Sequence, residues 1–197
     1  GGVRARLFRL SVSGELAYES AVPARYGDAL ARRLMQAGAP YGIAPYGTEA
    51  LGVMRIEKGH PAGAELNGQA TAHDLGMGRL LSGRKDFIGR RVADRAALRD
   101  PARPTLVGLK PLRADAPLVC GAHLLPRGAA ATAASDQGWI ASSAWSPTVG
   151  SWIGLGLLQN GPARLGQVVA VHHLPAGPAT PAGVASRVFF APHAAPL

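Results

Sequence analysis

The segment Asp100-Pro101-Ala102-Arg103-Pro104 divides the chain into two patterns that cannot belong to one repeating architecture. Before it, apolar residues recur at helical spacing. Beyond it come short apolar runs at 105–109, 138–143, 152–158 and 167–171, separated by turn residues. Five or six strands about 8–14 residues apart, with no helical stretch between them, read as a small antiparallel barrel or sandwich. The expected fold class is therefore α+β, with an α+β part at 1–100 followed by an antiparallel β-barrel at 104–197.

In the first part, residues 7–12 read as a strand that ends at Ser13-Gly14-Glu15, with 16–19 beginning its return. Residues 26–37 predict a helix: Leu30, Leu34 and Ala37 recur on one face while Arg32 and Arg33 point away. Gly38 and Pro40 are placed to end it. Thr48 is a good N-cap for a second helix over 49–58, which Gly59 would close. The alanine-rich stretch 129–134 fits neither pattern.

Composition narrows the function classes. The 197 residues are 47% hydrophobic and only 17% charged, with 26 Gly and 16 Pro, which suits a folded chain rich in turns. No apolar run reaches the ~18–20 residues of a membrane span, so no membrane partner is expected. The net charge is +9, and residues 79–113 hold ten Lys or Arg against three Asp, a surplus of seven. Phe87 is the single aromatic residue there, which leaves no stacking platform, so nucleic acid is not expected as a partner. The stretch reads as a solvated or subunit-facing basic surface, part of which could take a small anion. Cys120 is the only cysteine, so no internal disulfide forms and a reducing cytoplasm is the expected location. Cys120 and His123 make one C-x-x-H pair without a second, and His172-His173 fall on opposite faces of an apparent strand, so no metal site is expected. The chain does not begin with Met and reads as a piece of something longer.

Familiar catalytic patterns fail. Gly76-Met77-Gly78 and Gly154-Leu155-Gly156 lack the third glycine of a dinucleotide loop, and no P-loop, nucleophile elbow or H-E-x-x-H occurs. Covalent catalysis by this stretch is unsupported, and no catalytic residue is assigned within it. Glu57 is the misfit. It falls in the last turn of the second helix, where the macrodipole disfavours a carboxylate, on the face of Met54, Val53 and Ala50. A carboxylate on an apolar stripe needs a partner, and Arg55 points elsewhere. Two readings stand: a buried ion pair with an arginine, or a carboxylate that grips a flat, amino-bearing heterocycle such as a pterin or guanine through paired hydrogen bonds.

Four motifs carry a resemblance. Gly14-Glu15-Leu16-Ala17-Tyr18-Glu19 resembles the TGE-x-x-YE hairpin of the glycine-cleavage T-protein (aminomethyltransferase) family, and Met54-Arg55-Ile56-Glu57-Lys58-Gly59 resembles its LRLE-x-G helix. Asp86-Phe87-Ile88-Gly89 is similar to its DFIG element, and Ser146-Pro147-Thr148-Val149-Gly150 to the SP-T-G turn of its C-terminal barrel. The segments Tyr46-Gly47-Thr48-Glu49-Ala50-Leu51-Gly52, Glu57-Lys58-Gly59-His60 and Glu65-Leu66-Asn67-Gly68-Gln69 resemble the branch formed by the α subunits of heterotetrameric sarcosine oxidases.

The resemblance implies that Glu57 binds the pterin ring of tetrahydrofolate. It places a basic folate-contacting residue just before DFIG, at Arg84 or Lys85, where it could pair with a carboxylate of the folate tail. Tyr18 is expected to pack rather than to contact ligand. In such oxidases sarcosine is oxidised at a flavin on another subunit. The folate captures the one-carbon unit as 5,10-methylenetetrahydrofolate, with glycine and hydrogen peroxide as co-products of the whole enzyme. The resemblance thus implies other sarcosine oxidase subunits as partners, and FAD, FMN and NAD bound outside this chain. The family's acidic catalytic residue and another part of its folate pocket are implied to lie before Gly1, leaving this stretch inactive alone. Two other assignments fit the same motifs: a T-protein or dimethylglycine-dehydrogenase-like folate domain, and a non-catalytic interaction or RNA-modification scaffold.

Overall fold

A computed structural model describes residues 2–174 and 177–190; the end of the expected barrel segment, 191–197, lies outside the described residues. Strands β1 (Arg6–Arg9) and β2 (Tyr18–Ala21) pair antiparallel, with Arg6 opposite Ala21 and Arg9 opposite Tyr18. The strand expected over 7–12 is thus shorter and earlier. From Ser11 the chain bends, because the Ser11 hydroxyl donates to the Glu15 carbonyl at 2.9 Å and Gly14 turns at φ +86. Every residue of both strands is exposed, and Tyr18, expected to pack, is 57% exposed.

Helix α1 (Gly27–Gly38) matches the predicted span within a residue but buries none of its side chains. Its end differs from expectation. Gly38 stays right-handed at φ −84, and a 3-10 turn carries the chain through Pro40 to Gly42, which takes the left-handed φ of 73. Gly38 serves packing instead: a Cβ there would sit 2.7 Å from the Ile43 side chain, which folds back over it. Helix α2 (Thr48–Lys58) starts one residue early. Gly47 occupies the N-cap position, and Thr48 is the first helical residue with no side-chain cap. Its C-terminus behaves as predicted. Gly59 is left-handed at φ 72, its N–H bonds Ile56 O at 2.9 Å, and the His60 N–H bonds Arg55 O at 2.8 Å, which satisfies carbonyls the helix leaves open. A short helix α3 (Arg90–Ala93) follows.

The second part closes into a six-stranded antiparallel barrel: β3 (Pro104–Pro111), β4 (His123–Pro126), β5 (Gly138–Ser146), β6 (Ser151–Gln159), β7 (Val168–His172) and β8 (Thr180–Ala185), in the order β3-β6-β5-β4-β7-β8. Its interior is apolar, with Leu109, Leu124, Ile140, Leu158, Val169 and Ala182 in one buried cluster. The Gly-Leu-Gly of β6 is explained here. A Cβ on Gly156 would meet Leu109 Cδ1 at 2.8 Å and one on Gly154 would meet Leu118 Cδ1 at 3.2 Å, so the glycines make room inside a narrow barrel. The alternate residues Ile153, Leu155 and Leu157 face outward and join Ile56 and Leu75 in a second buried cluster. That cluster is where α2 meets the barrel. The alanine-rich stretch is a loop ending in the 3-10 turn Ala133–Ser135.

Several polar links hold the two parts together. The Leu106 N–H donates to Asp74 O at 2.7 Å, and the N–H groups of Phe189 and Phe190 donate to Glu57 O at 2.7 and 2.9 Å. The Arg103 guanidinium grips both oxygens of the buried Asp74 carboxylate. Burial alone would raise the Asp74 carboxyl, but the hydrogen bonds from Arg103 and Thr71 and the Arg103 charge hold it below its ordinary range. Arg90 and Arg99 pair with Asp94, and Arg113 with Asp115, all on exposed surface.

Candidate folate site

Glu57 is 4% exposed although it stands in the final turn of α2. The reason is local. Ile56 and Glu57 both turn toward the barrel, Ile56 into the outer apolar cluster and Glu57 toward the end of β5. There the Ser146 hydroxyl donates to Glu57 Oε1 at 2.6 Å and itself accepts from the Val149 N–H at 2.9 Å. The turn Ser146-Pro147-Thr148-Val149 therefore presents the serine in one fixed orientation. The arginine partner of the first reading does not appear: among the described residues no cation pairs with Glu57. Arg55 points the other way along the helix and is taken by a different acid.

That acid is Glu65, which is fully buried. Its Oε2 accepts from Arg55 Nη1 at 2.9 Å and from the Ala62 N–H at 3.0 Å. Arg55 Nη2 in turn donates to Ser142 Oγ at 2.7 Å on β5. Arg55 is thereby a clamp between α2, the loop that follows it and the strand that carries Ser146. Glu65 Oε1 is buried with no hydrogen-bond partner among the described residues. Sequence reasoning missed this clamp. The sequence shows Glu65 only as part of a motif, and Arg55 only as a residue that cannot reach Glu57.

Arg84 and Lys85 lie in an exposed loop that Ser82 organises by accepting both their backbone N–H groups at 3.2 Å. Neither side chain makes an ion pair among the described residues, and nothing bridges them to Glu57. The Cys120–His123 pair has separate partners, Ser143 for the thiol and Asp136 for the imidazole. His172 and His173 each keep one buried ring nitrogen without a partner among the described residues.

A closed barrel packed on an α+β layer is the fold this chain shares with a glycine-cleavage T-protein. Residues 1–85 match the family described as GCVT N-terminal domain, and residues 105–191 the one described as Glycine cleavage T-protein C-terminal barrel domain. The chain is a T-protein-like region and belongs to that family in both its parts. Its relatives include the sarcosine oxidase subunit alpha of Rhizobium meliloti, 48% identical over 193 residues, which are 98% of this chain and 20% of that protein. The sarcosine oxidase subunit alpha of Corynebacterium sp. (strain P-1) is 39% identical over 171 residues, 85% of this chain and 18% of that protein. The aminomethyltransferase of Streptomyces avermitilis is 34% identical over 160 residues, 76% of this chain and 40% of that protein. The solved aminomethyltransferase T of the glycine cleavage system from Bartonella henselae superposes with a TM-score of 0.79 at 22% identity, over 95% of this chain and 50% of that one. The chain thus spans about a fifth of the sarcosine oxidase relatives and half of the solved structure.

Proposed function

We propose that this chain forms part of the folate-binding region of a sarcosine oxidase α subunit, with residues 1–100 and 104–197 as its two domains. One observation carries the reading: Glu57 is a nearly buried carboxylate met by a hydroxyl, with no cation beside it among the described residues. A carboxylate has about four acceptor positions, and Ser146 uses one. Leaving such a charge with so little compensation costs several kcal/mol. The two adjacent N–H donors of a pterin edge supply the missing partners in the plane a carboxylate prefers.

Tetrahydrofolate, when bound, supplies the nitrogens that take up the one-carbon unit as 5,10-methylenetetrahydrofolate. The chain's own residues bind and orient. Ser146 fixes the Glu57 carboxylate, Arg55 and Glu65 fix the helix that carries it, and Arg84 or Lys85 meets a carboxylate of the folate tail. The gain is one of positioning, worth several kcal/mol when two reactants are held in line. Oxidation of sarcosine, with its FAD, FMN and NAD, belongs in this reading to other segments and subunits of a cytoplasmic assembly.

Tetrahydrofolate binding measured by calorimetry on the wild type and on Glu57→Gln tests the proposal. The substitution is expected to weaken binding more than tenfold, about 1.4 kcal/mol. Equal binding by both proteins removes Glu57 from the site, and binding by neither, repeated with the chain extended upstream of Gly1, removes the folate reading.

A further inference from the structure

A cavity of about 430 Å³ lies between the loop after β1, the C-terminal end of α2, the loop around Gly76 and Arg187. Glu57 takes no part in its wall. Leu16, Pro61, Met77 and Leu80 give it apolar sides, while Arg9, Lys58, His60, Arg79 and Arg187 bring basic groups to it. Among the described residues of the lining, Glu15 is the one carboxylate. We infer that this cavity binds a small carboxylate with a flat apolar body, held by Arg187 with Lys58 and Arg79 beside it.

Arg187 is built into the wall. Its backbone crosses Gly59 so closely that a Cβ there would collide with the Arg187 carbonyl, and its guanidinium passes Gly76, where a Cβ would come within 3.2 Å of Nη1. Both glycines have positive φ, so the two turns that border the cavity also make the space this arginine needs. The guanidinium donates to the Leu75 carbonyl, which fixes its plane. No ion pair joins Lys58, Arg79 or Arg187 to a carboxylate among the described residues.

The cations stand against their own charge. Burial lowers the pKa of Lys58, and burial followed by the Arg79 charge lowers that of Arg187. His60 is lowered by burial and then by Lys58, Arg55 and Arg187, with Glu65 opposing. An anion in the cavity relieves all of these at once. The volume lies in the small-molecule range of roughly 300–1,000 Å³. Inorganic phosphate would leave the apolar sides wet, whereas a planar carboxylate matches the guanidinium fork and lays its body along Leu16, Pro61 and Met77.

The test is calorimetric titration of the chain with benzoate, with benzamide as the neutral isostere and with inorganic phosphate. Benzoate is expected to bind at least tenfold more tightly than either. Arg187→Gln is expected to weaken benzoate binding at least tenfold, and Glu57→Gln to leave it unchanged, so this site and the folate reading fail separately. Lys58→Gln, on the half-buried end of α2, gives a second reading should the arginine variant not fold, with an expected loss of threefold or more. Saturating benzoate should also raise the His60 pKa, read from its ring proton shifts, because the anion offsets Lys58, Arg55 and Arg187 together with Arg9 and Arg79, which face the cavity. Binding of benzamide or phosphate as tight as that of benzoate overturns the inference, as does no binding of benzoate.

Discussion

Ser146 on β5 donates its hydroxyl to Glu57 on α2 at 2.6 Å, and the two residues are 0% and 4% exposed. Two motifs far apart in the chain meet in one hydrogen bond at the contact between helix and barrel. Ser146→Ala removes the donor to Glu57 and the acceptor for the Val149 N–H together. Leaving these buried groups unpaired is expected to cost about 1–3 kcal/mol, read as a lowered denaturation midpoint. Under the folate proposal, tetrahydrofolate affinity falls by about tenfold as well, since the carboxylate loses its fixed plane. Ser146→Thr keeps the hydroxyl and should recover much of both losses. A threonine variant no better than the alanine one would show that the volume of the site, not its hydrogen bond, is what matters.

Arg55 and Glu65 form a different kind of pair. Glu65 is fully enclosed and Arg55 carries 16% of its side-chain surface exposed. Arg55→Met leaves the Glu65 charge buried with only the Ala62 N–H, at an expected cost of about 3 kcal/mol or more. Neutralising the acid too, in Arg55→Met with Glu65→Gln, should restore part of that loss, because the penalty comes from the abandoned charge. A double-mutant cycle from chemical denaturation checks this, with a coupling energy above about 1 kcal/mol expected. Additive losses would mean that the clamp acts through packing alone.

Much of this arrangement was legible in the sequence, and most of the gaps have identifiable causes. The barrel followed from the spacing of short apolar runs after Pro104, and Glu57 stood out because a carboxylate at a helix C-terminus on an apolar face needs explanation. Of the two readings the sequence leaves open for its partner, the arginine does not appear among the described residues, and the group that reaches it is a hydroxyl whose position depends on a turn 89 residues away. Helical spacing identifies α1, yet periodicity does not say what covers the face, and among the described residues nothing buries Leu34. Gly47 takes the N-cap position in an extended conformation that threonine would also adopt, and nothing in the structure explains the one-residue shift from Thr48. Arg187 was invisible, since its role depends on two glycines more than a hundred residues earlier in the chain.

Gly59 joins helix, barrel and cavity, and a methyl group there should fail on two counts. Its φ of 72 is costly for alanine, and the Cβ would collide with the Arg187 carbonyl. Gly59→Ala is therefore expected to destabilise the chain by about 2–4 kcal/mol, and to weaken benzoate binding through displacement of Arg187. Gly52→Ala lies in the same helix, with nothing within reach of the added methyl, and should be neutral or stabilising by up to about 1 kcal/mol. Comparing the two melting curves separates the effect of position from that of helix propensity.

Acid should release the Asp74–Arg103 link in a defined window. The folded-state pKa of Asp74 lies below its ordinary value of 3.8. The unfolded chain therefore takes up this proton first as the pH falls, and the stabilisation present above about pH 4 is lost as the pH drops through the folded value. His60 is also lowered, from an ordinary 6.5, so its protonation penalises the folded state earlier, from about pH 6.5 downward. Two acid limbs are expected in the stability profile, and each responds to its own substitution. His60→Gln should flatten the profile just below about pH 6.5 while leaving the steeper fall below pH 4. Arg103→Met should cost about 2 kcal/mol at pH 7, less than a fully buried pair because Arg103 is partly solvated. It should also move the lower limb upward in pH, since burial without the guanidinium raises the Asp74 carboxyl. Urea denaturation at half-unit steps from pH 3 to 8 resolves both limbs. A lower limb unmoved by Arg103→Met would mean that Asp74 owes its ionisation to Thr71 rather than to the arginine that ties the first part of the chain to the barrel.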